Sequence, residues 1–243
     1  VINSSPDAQN TNSGGGSTDK AGLQPRVVET EADLAFAFDG DADRMMAVDH
    51  TGRLIDGDQL LALAANDLRS RGRLPGDTVV VTVMTNLGFR LGMQRLGINV
   101  VDTAVGDRFV LEALDAGGFA LGGEQSGHLI FRDRATTGDG LLSAAVTAEI
   151  VVRAGAPLAG LVDSLMTRLP QVLRNVRIAA PMPDVAARLA GELDAAAESL
   201  GDDGRVLVRP SGTEPVVRVM VEATDEAVAH EWCDRLVSAV EAL

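Results

Sequence analysis

The chain has 243 residues, 46% of them hydrophobic and 23% charged, with 21 basic against 35 acidic side chains and a formal net charge of −14. That balance excludes a binder of the nucleic-acid backbone or of an anionic membrane surface, since both need positive charge. The single cysteine, Cys233, excludes an intramolecular disulfide framework and fits a reducing compartment. Aromatics are only 3%, so the apolar mass is aliphatic, as helices packed on a buried parallel sheet require. No uninterrupted apolar run reaches the roughly 18 residues of a membrane span. The start, Val1-Ile2-Asn3-Ser4-Ser5, has neither the basic region nor the apolar core of a secretory signal, and it reads like the interior of a longer protein.

Residues 4–22, rich in Ser, Asn, Gly, Asp and Thr around Gly14-Gly15-Gly16, have the composition of a flexible linker. Residues 34–38 read as a short buried strand, and 45–48 as a second one after a polar turn. Asp58 is placed to cap a helix that runs to about Ser70 through Leu60, Leu61, Leu63, Ala64 and Leu68. Residues 78–84 form a Val-rich strand, 89–96 a helix and 100–103 a strand. Asp107 then caps a helix to about Ala116, and 140–153 is an alanine-rich helix. This alternation predicts a parallel α/β domain ending near Leu169-Pro170. The tail changes character. Residues 172–178, 206–209 and 216–222 read as strands, and 184–200 and 227–240 as helices, the last with Trp232, Leu236 and Val240 on one stripe. Residues 170–243 therefore suggest a small separate α+β domain.

Three polar loops carry chemistry. In Asp39-Gly40-Asp41-Ala42-Asp43-Arg44, carboxylates at alternate positions repel one another unless a divalent cation neutralises them, and hard oxygen ligands select Mg²⁺ or Ca²⁺. An EF-hand does not fit: counted from Asp39, the sixth residue is Arg44 and the twelfth His50, where Gly and Glu are needed. A solvated acidic turn and an aspartyl-phosphate phosphatase loop remain open. Gly122-Gly123-Glu124-Gln125-Ser126-Gly127-His128 combines backbone access with an acceptor, a hydroxyl and a titratable donor, a set that suits sugar hydroxyls; a polar βα turn with an incidental His is the plain alternative. Arg209-Pro210-Ser211-Gly212-Thr213-Glu214-Pro215 supplies a guanidinium, hydroxyls and backbone N–H groups for an anion, with Arg218 beyond it as a second charge. A tight hairpin turn is the alternative there. Together the loops suggest a phosphosugar enzyme.

With these loops in this order, the sequence resembles the α-D-phosphohexomutase superfamily, and within it the phosphoglucosamine mutase branch. Val83-Met84-Thr85-Asn86-Leu87-Gly88, Gly106-Asp107-Arg108-Phe109-Val110 and Thr136-Thr137-Gly138-Asp139-Gly140 share the resemblance, which covers essentially the whole chain. It implies a truncated α/β domain over 1–44 ending in the metal loop, a complete α/β domain with a mixed or parallel sheet over 45–169, and an α+β domain over 170–243. The stretch from Asn10 to Thr18 then becomes a loop of the truncated domain, with Gly15 in a slot where the family has cysteine.

By the same resemblance, Asp39, Asp41 and Asp43 hold one Mg²⁺ and Arg44 steadies the phosphoryl group. Glu124, Ser126 and His128 orient the sugar, with Asp107 or Arg108 touching sugar or phosphate. Arg209, Ser211, Gly212, Thr213 and Arg218 clasp the phosphate that is not reacting, and His128 is one candidate for the general base. The implied reaction interconverts glucosamine 6-phosphate and glucosamine 1-phosphate through a 1,6-bisphosphate and a phosphoserine, in the cytoplasm, feeding amino-sugar synthesis for the cell envelope. Mannose or glucose phosphates, or a non-catalytic Mg²⁺-dependent phosphosugar-binding module, are the alternatives. The family's phosphoserine loop, of Ser-His-Asn type, has no counterpart in these residues, so the chain by itself is expected to lack mutase turnover.

Overall fold

The computed structural model describes residues 22–211 and 214–243. The Ser/Gly-rich stretch of residues 4–21, including Asn10 to Thr18, and also Gly212 and Thr213, lie outside the described residues. The chain divides into two units, Val1–Thr167 and Arg168–Leu243.

In the first unit, β1 (Leu34–Phe38), β2 (Met45–Asp49) and β3 (Leu54–Ile55) form an antiparallel sheet in that order. Phe38 stands opposite Met45, so the acidic loop is the connection of a hairpin. A helix unread in the sequence, α1 (Leu23–Glu29), precedes it with only Val27 buried; seven residues interrupted by Pro25 carry no legible period. After β3 comes α2 (Gly57–Ser70), then β4 (Thr78–Thr82), α3 (Leu87–Arg95), β5 (Asn99–Thr103), α4 (Asp107–Gly117), β6 (Leu121–Gly123), β7 (Leu129–Phe131), α5 (Gly140–Ala154) and α6 (Leu158–Leu165). The second sheet runs β5-β4-β6-β7, with β5 and β6 parallel to β4 and β7 antiparallel to β6. Strand β4, Thr-Val-Val-Val-Thr, is buried on both faces. Val79 and Val81 join Leu61, Phe89 and Leu158, while Val80 meets Val110, Leu114 and Ile130 on the other side. Each such valine contributes about 1.5–3 kcal/mol on burial, which is why a continuous apolar run suits a central parallel strand.

Two sequence expectations for this unit, and one alternative, are corrected. Asp58 does not cap α2. Asp56 does, with an extended backbone (ψ 176°) and a reciprocal bond to Gln59, as a cap's non-helical geometry requires. Asp58 is instead buried in the first turn, where its Oδ2 accepts from the Asn86 N–H at 2.8 Å. Asp107 does not cap α4 either. Gly106, at φ +133°, occupies the cap, and Asp107 is the first helical residue. The loop 122–128 leads into an antiparallel strand, so it is no βα turn.

In the second unit, β8 (Gln171–Arg177), α7 (Val185–Arg188), α8 (Ala190–Leu200), β9 (Gly204–Pro210), β10 (Val216–Ala223) and α9 (Glu226–Glu241) follow in order. The sheet is antiparallel in the order β8-β10-β9. The single helix expected over 184–200 is two, because Leu189 (φ −100°, ψ 15°) breaks the helical geometry. Val172, Val176, Val208, Val217, Val219 and Val221 form one apolar cluster with Cys233, Leu236 and Val240 of α9, and burial pushes the Cys233 thiol up.

Candidate functional site

The β1–β2 hairpin brings one carboxylate oxygen from each of Asp39, Asp41 and Asp43 within 4.8 Å of the others. The turn closes through Ala42 N–H donating to Asp39 O at 3.2 Å, with Ala42 at φ +56°. The Arg44 N–H donates to Asp39 Oδ1 at 3.2 Å, and its guanidinium lies 3.7 Å from Asp39 and 3.9 Å from Asp43. Burial, with the negative Asp39 beside it, pushes the Asp43 carboxyl up, against the pull of His128. Asp43 Oδ1 is buried with no hydrogen-bond partner among the described residues. Three close carboxylates, one of them pushed up and with an oxygen that has no partner among the described residues, fit a hard divalent cation, which would supply the missing partner and the missing charge.

Two backbone bonds anchor this loop. Gly140 N–H, opening α5, donates to Ala42 O at 2.8 Å, and Met45 N–H donates to Gly127 O at 3.0 Å. The second bond joins the acidic loop to the loop 122–128. There Glu124 N–H donates to His128 O, Gly127 N–H to Glu124 O, and Gly57 N–H of α2 to Gln125 O. The His128 ring is buried, with Nε2 3.5 Å from Asp43 Oδ2 and neither ring nitrogen hydrogen-bonded among the described residues. Gly138 packs flat on that ring: a Cβ there would lie 2.3 Å from His128 Nε2. Glu124 Oε1 accepts from the Gly106 N–H at 3.1 Å, so the start of α4, with Asp107 and Arg108, is tied to the same place. Ser126, Asp107 and Arg108 are exposed, and the Arg108 guanidinium stacks on Phe109 at 4.5 Å.

Thus the first unit brings together Asp39, Asp41, Asp43, Arg44, His128 and Glu124, with Asp107 and Arg108 joined through Gly106. Gly57 has no part in the sequence motifs, and Gly106 and Gly138 stand there only within longer ones. Gly57 and Gly138 lie where a Cβ would meet other atoms at under 2.5 Å, and Gly106 has a positive φ, neither of which a local pattern announces.

In the second unit, Arg209 and Arg218 are direct cross-strand partners on β9 and β10. Burial, together with the neighbouring Arg218 charge, holds the Arg209 guanidinium below its usual range, and the Nε of each arginine is buried without a partner among the described residues. Ser211 N–H donates to Val216 O at 2.8 Å, closing the loop; Gly212 and Thr213 lie outside the described residues. Two adjacent guanidiniums whose Nε groups have no acceptor among the described residues form a site for an anion.

Residues 56–169 match the family model for the phosphoglucomutase/phosphomannomutase alpha/beta/alpha domain III, and residues 173–239 match that for the C-terminal domain. The chain belongs to the phosphoglucomutase/phosphomannomutase family. It is 52% identical over 243 residues to the phosphoglucosamine mutase of Frankia alni, a match that takes in all of this chain and 53% of that protein. The chain spans about half the length of the curated relatives it matches. Its fold is similar to a phosphoglucomutase/phosphomannomutase family protein from Burkholderia thailandensis, 28% identical, with a TM-score of 0.75 over 93% of this chain and 51% of that one. It is also similar in fold to an Aspergillus fumigatus N-acetylphosphoglucosamine mutase solved with GlcNAc-6P and magnesium, 24% identical, with a TM-score of 0.71 over 86% of this chain and 52% of that one. Among the described residues, no single helix is long and apolar enough to cross a membrane.

Proposed function

We propose that the chain carries the metal-, sugar- and phosphate-binding parts of a cytoplasmic, Mg²⁺-dependent phosphoglucosamine mutase, which interconverts glucosamine 6-phosphate and glucosamine 1-phosphate through a bound 1,6-bisphosphate. Its domain division on this reading is 1–44, 45–169 and 170–243. The observation that carries the reading is the cluster Asp39, Asp41 and Asp43, one oxygen orphaned, tied by the Met45–Gly127 bond to the loop holding Glu124 and His128. Asp39, Asp41 and Asp43 hold the ion. Bound there, Mg²⁺ supplies positive charge against the oxygens of a phosphoryl group. Arg44, beside two of those carboxylates, adds a guanidinium for the same oxygens.

Glu124 keeps one oxygen on the Gly106 N–H and offers the other to a sugar hydroxyl, with Ser126 and the Asp107-Arg108 turn as further polar contacts. His128, whose ring nitrogens are unpartnered among the described residues, is the candidate to take the proton of the attacking hydroxyl. Arg209, Ser211, Gly212, Thr213 and Arg218 hold the phosphate that is not reacting. The phosphoseryl donor lies outside these residues, so this chain alone binds phosphosugar without turning it over.

The test is a chimera joining this chain to the part of the Frankia alni relative that it does not cover, assayed on the 6-phosphates of glucosamine, mannose and glucose. Glucosamine 6-phosphate is expected to turn over fastest. Faster turnover of mannose or glucose 6-phosphate would overturn the sugar assignment.

A further inference from the structure

The sheet of the second unit carries, on one face, two rows of an amide, a central charged side chain and an arginine, and the sign of the central charge differs between them. In the first row, Gln171, Glu222 and Arg205 are aligned across β8, β10 and β9. The Arg205 Nε–H donates to Glu222 Oε2 at 2.6 Å, and the Gln171 amide donates to Glu222 Oε1 at 2.6 Å. Four residues back along β10, hence on the same face, Asn175, Arg218 and Arg209 are aligned in the same way. Amide, carboxylate and guanidinium make a closed set in the first row. In the second, the centre is a guanidinium, and the Nε groups of both arginines are buried and unpartnered among the described residues. Like charges directly opposite on a sheet are destabilising unless something neutralises them.

We propose that Asn175 is the third member of the phosphate clasp. Its carboxamide donates to the bound anion as Gln171 does to Glu222, and, being uncharged, it leaves both guanidiniums free for that anion. The inference rests on the phosphosugar reading of the loop 209–215 and deepens it by adding a residue from a strand distant in sequence. An acidic residue at 175 would pair with Arg218 and compete with the ligand, whereas alanine would only remove one donor.

The experiment titrates inorganic phosphate into the whole chain, followed by ³¹P NMR, and measures the thermal midpoint of the phosphate-free protein. The parent chain binds phosphate and Arg209→Ala does not. Asn175→Ala weakens binding about fivefold, the effect of one lost hydrogen bond. Asn175→Asp weakens it at least about tenfold, yet raises the thermal midpoint of the phosphate-free chain, because the new carboxylate relieves the arginine pair. A residue serving packing alone would not move these two readings in opposite directions. If Asn175→Asp and Asn175→Ala both bind phosphate as the parent does while Arg209→Ala fails, the role of Asn175 is overturned and the clasp stands. If the parent itself binds no phosphate, the phosphate reading of the loop fails first, and the role of Asn175 with it.

Discussion

A methyl group at Gly57 tests how the start of α2 seats the loop 122–128. The Cβ of Gly57→Ala would stand 2.2 Å from Glu124 O, 2.6 Å from Gly127 N and 2.8 Å from Gln125 O. All three atoms are backbone of one loop, so no side chain can swing aside; relief requires the loop to move and the 3.1 Å bond from Gly57 N–H to Gln125 O to stretch. Overpacking of this kind costs about 1–3 kcal/mol, and the weakened bond about 1 more, for a loss of roughly 2–4 kcal/mol. At about 2–4 °C per kcal/mol, the thermal midpoint falls by roughly 5–15 °C. In an open helix the same change would stabilise by about 0.5–1 kcal/mol, so the sign alone is informative. Circular-dichroism melts with urea titrations measure it, and the affinity for glucosamine 6-phosphate in Mg²⁺ should fall in parallel, because the displaced loop carries Glu124 and His128. A variant melting within about 2 °C of the parent, with unchanged affinity, would refute the seating argument.

Three further perturbations follow from the same geometry. Asp43 has its carboxyl pushed up by burial and by Asp39, so without metal its ionisation destabilises the folded chain as the pH rises from the ordinary carboxylate value through the raised one. Asp43→Asn is therefore expected to melt higher than the parent at pH 7 in EDTA, with the gap closing near pH 4 and the stabilisation by Mg²⁺ lost; a lower melting point in EDTA would contradict this. Asp49 is fully buried. Burial raises its carboxyl, but bonds from Thr51 and Arg53 outweigh that and bring it below the ordinary range, so its contribution is present at neutral pH and lost as pH falls through the folded value. Asp49→Asn should cost about 1–3 kcal/mol by urea titration at pH 7 and progressively less below about pH 4; an equal loss at both pH values would show that the bonds act without charge. Arg209→Ala should weaken glucosamine 6-phosphate binding by at least about tenfold, while Arg188→Ala, which removes an exposed guanidinium already paired with Asp184 at 2.9 Å, leaves it unchanged. Equal effects, read by calorimetry, would remove the phosphate assignment from Arg209.

Much of this is legible in the amino-acid sequence. The alternation from Thr78 to Gly117 reports a parallel sheet because its strands are apolar and its helices amphipathic, and β1 and β5 fall within a residue of their expected bounds. Elements of two or three residues, such as β3, β6 and β7, are too short to show a period, and they form because neighbouring strands accept their hydrogen bonds. The caps of α2 and α4 lie two residues and one residue before the expected Asp58 and Asp107, since Asp56 competes with Asp58 at α2 and a glycine takes the cap of α4, choices that only backbone geometry decides. The acidic loop announces itself by composition, whereas the pairing of His128 with Asp43, the hold of Gly106 on Glu124 and the alignment of Asn175 with Arg218 depend on partners 18 to 85 residues apart, which local pattern cannot register.

The central claim is that these residues bind a phosphosugar in a Mg²⁺-dependent way, and ³¹P NMR of glucosamine 6-phosphate with this chain tests it most directly. The resonance is expected to broaden or shift when chain and Mg²⁺ are both present, and EDTA to reverse most of the change. A resonance unaltered by the chain at millimolar Mg²⁺ would contradict it.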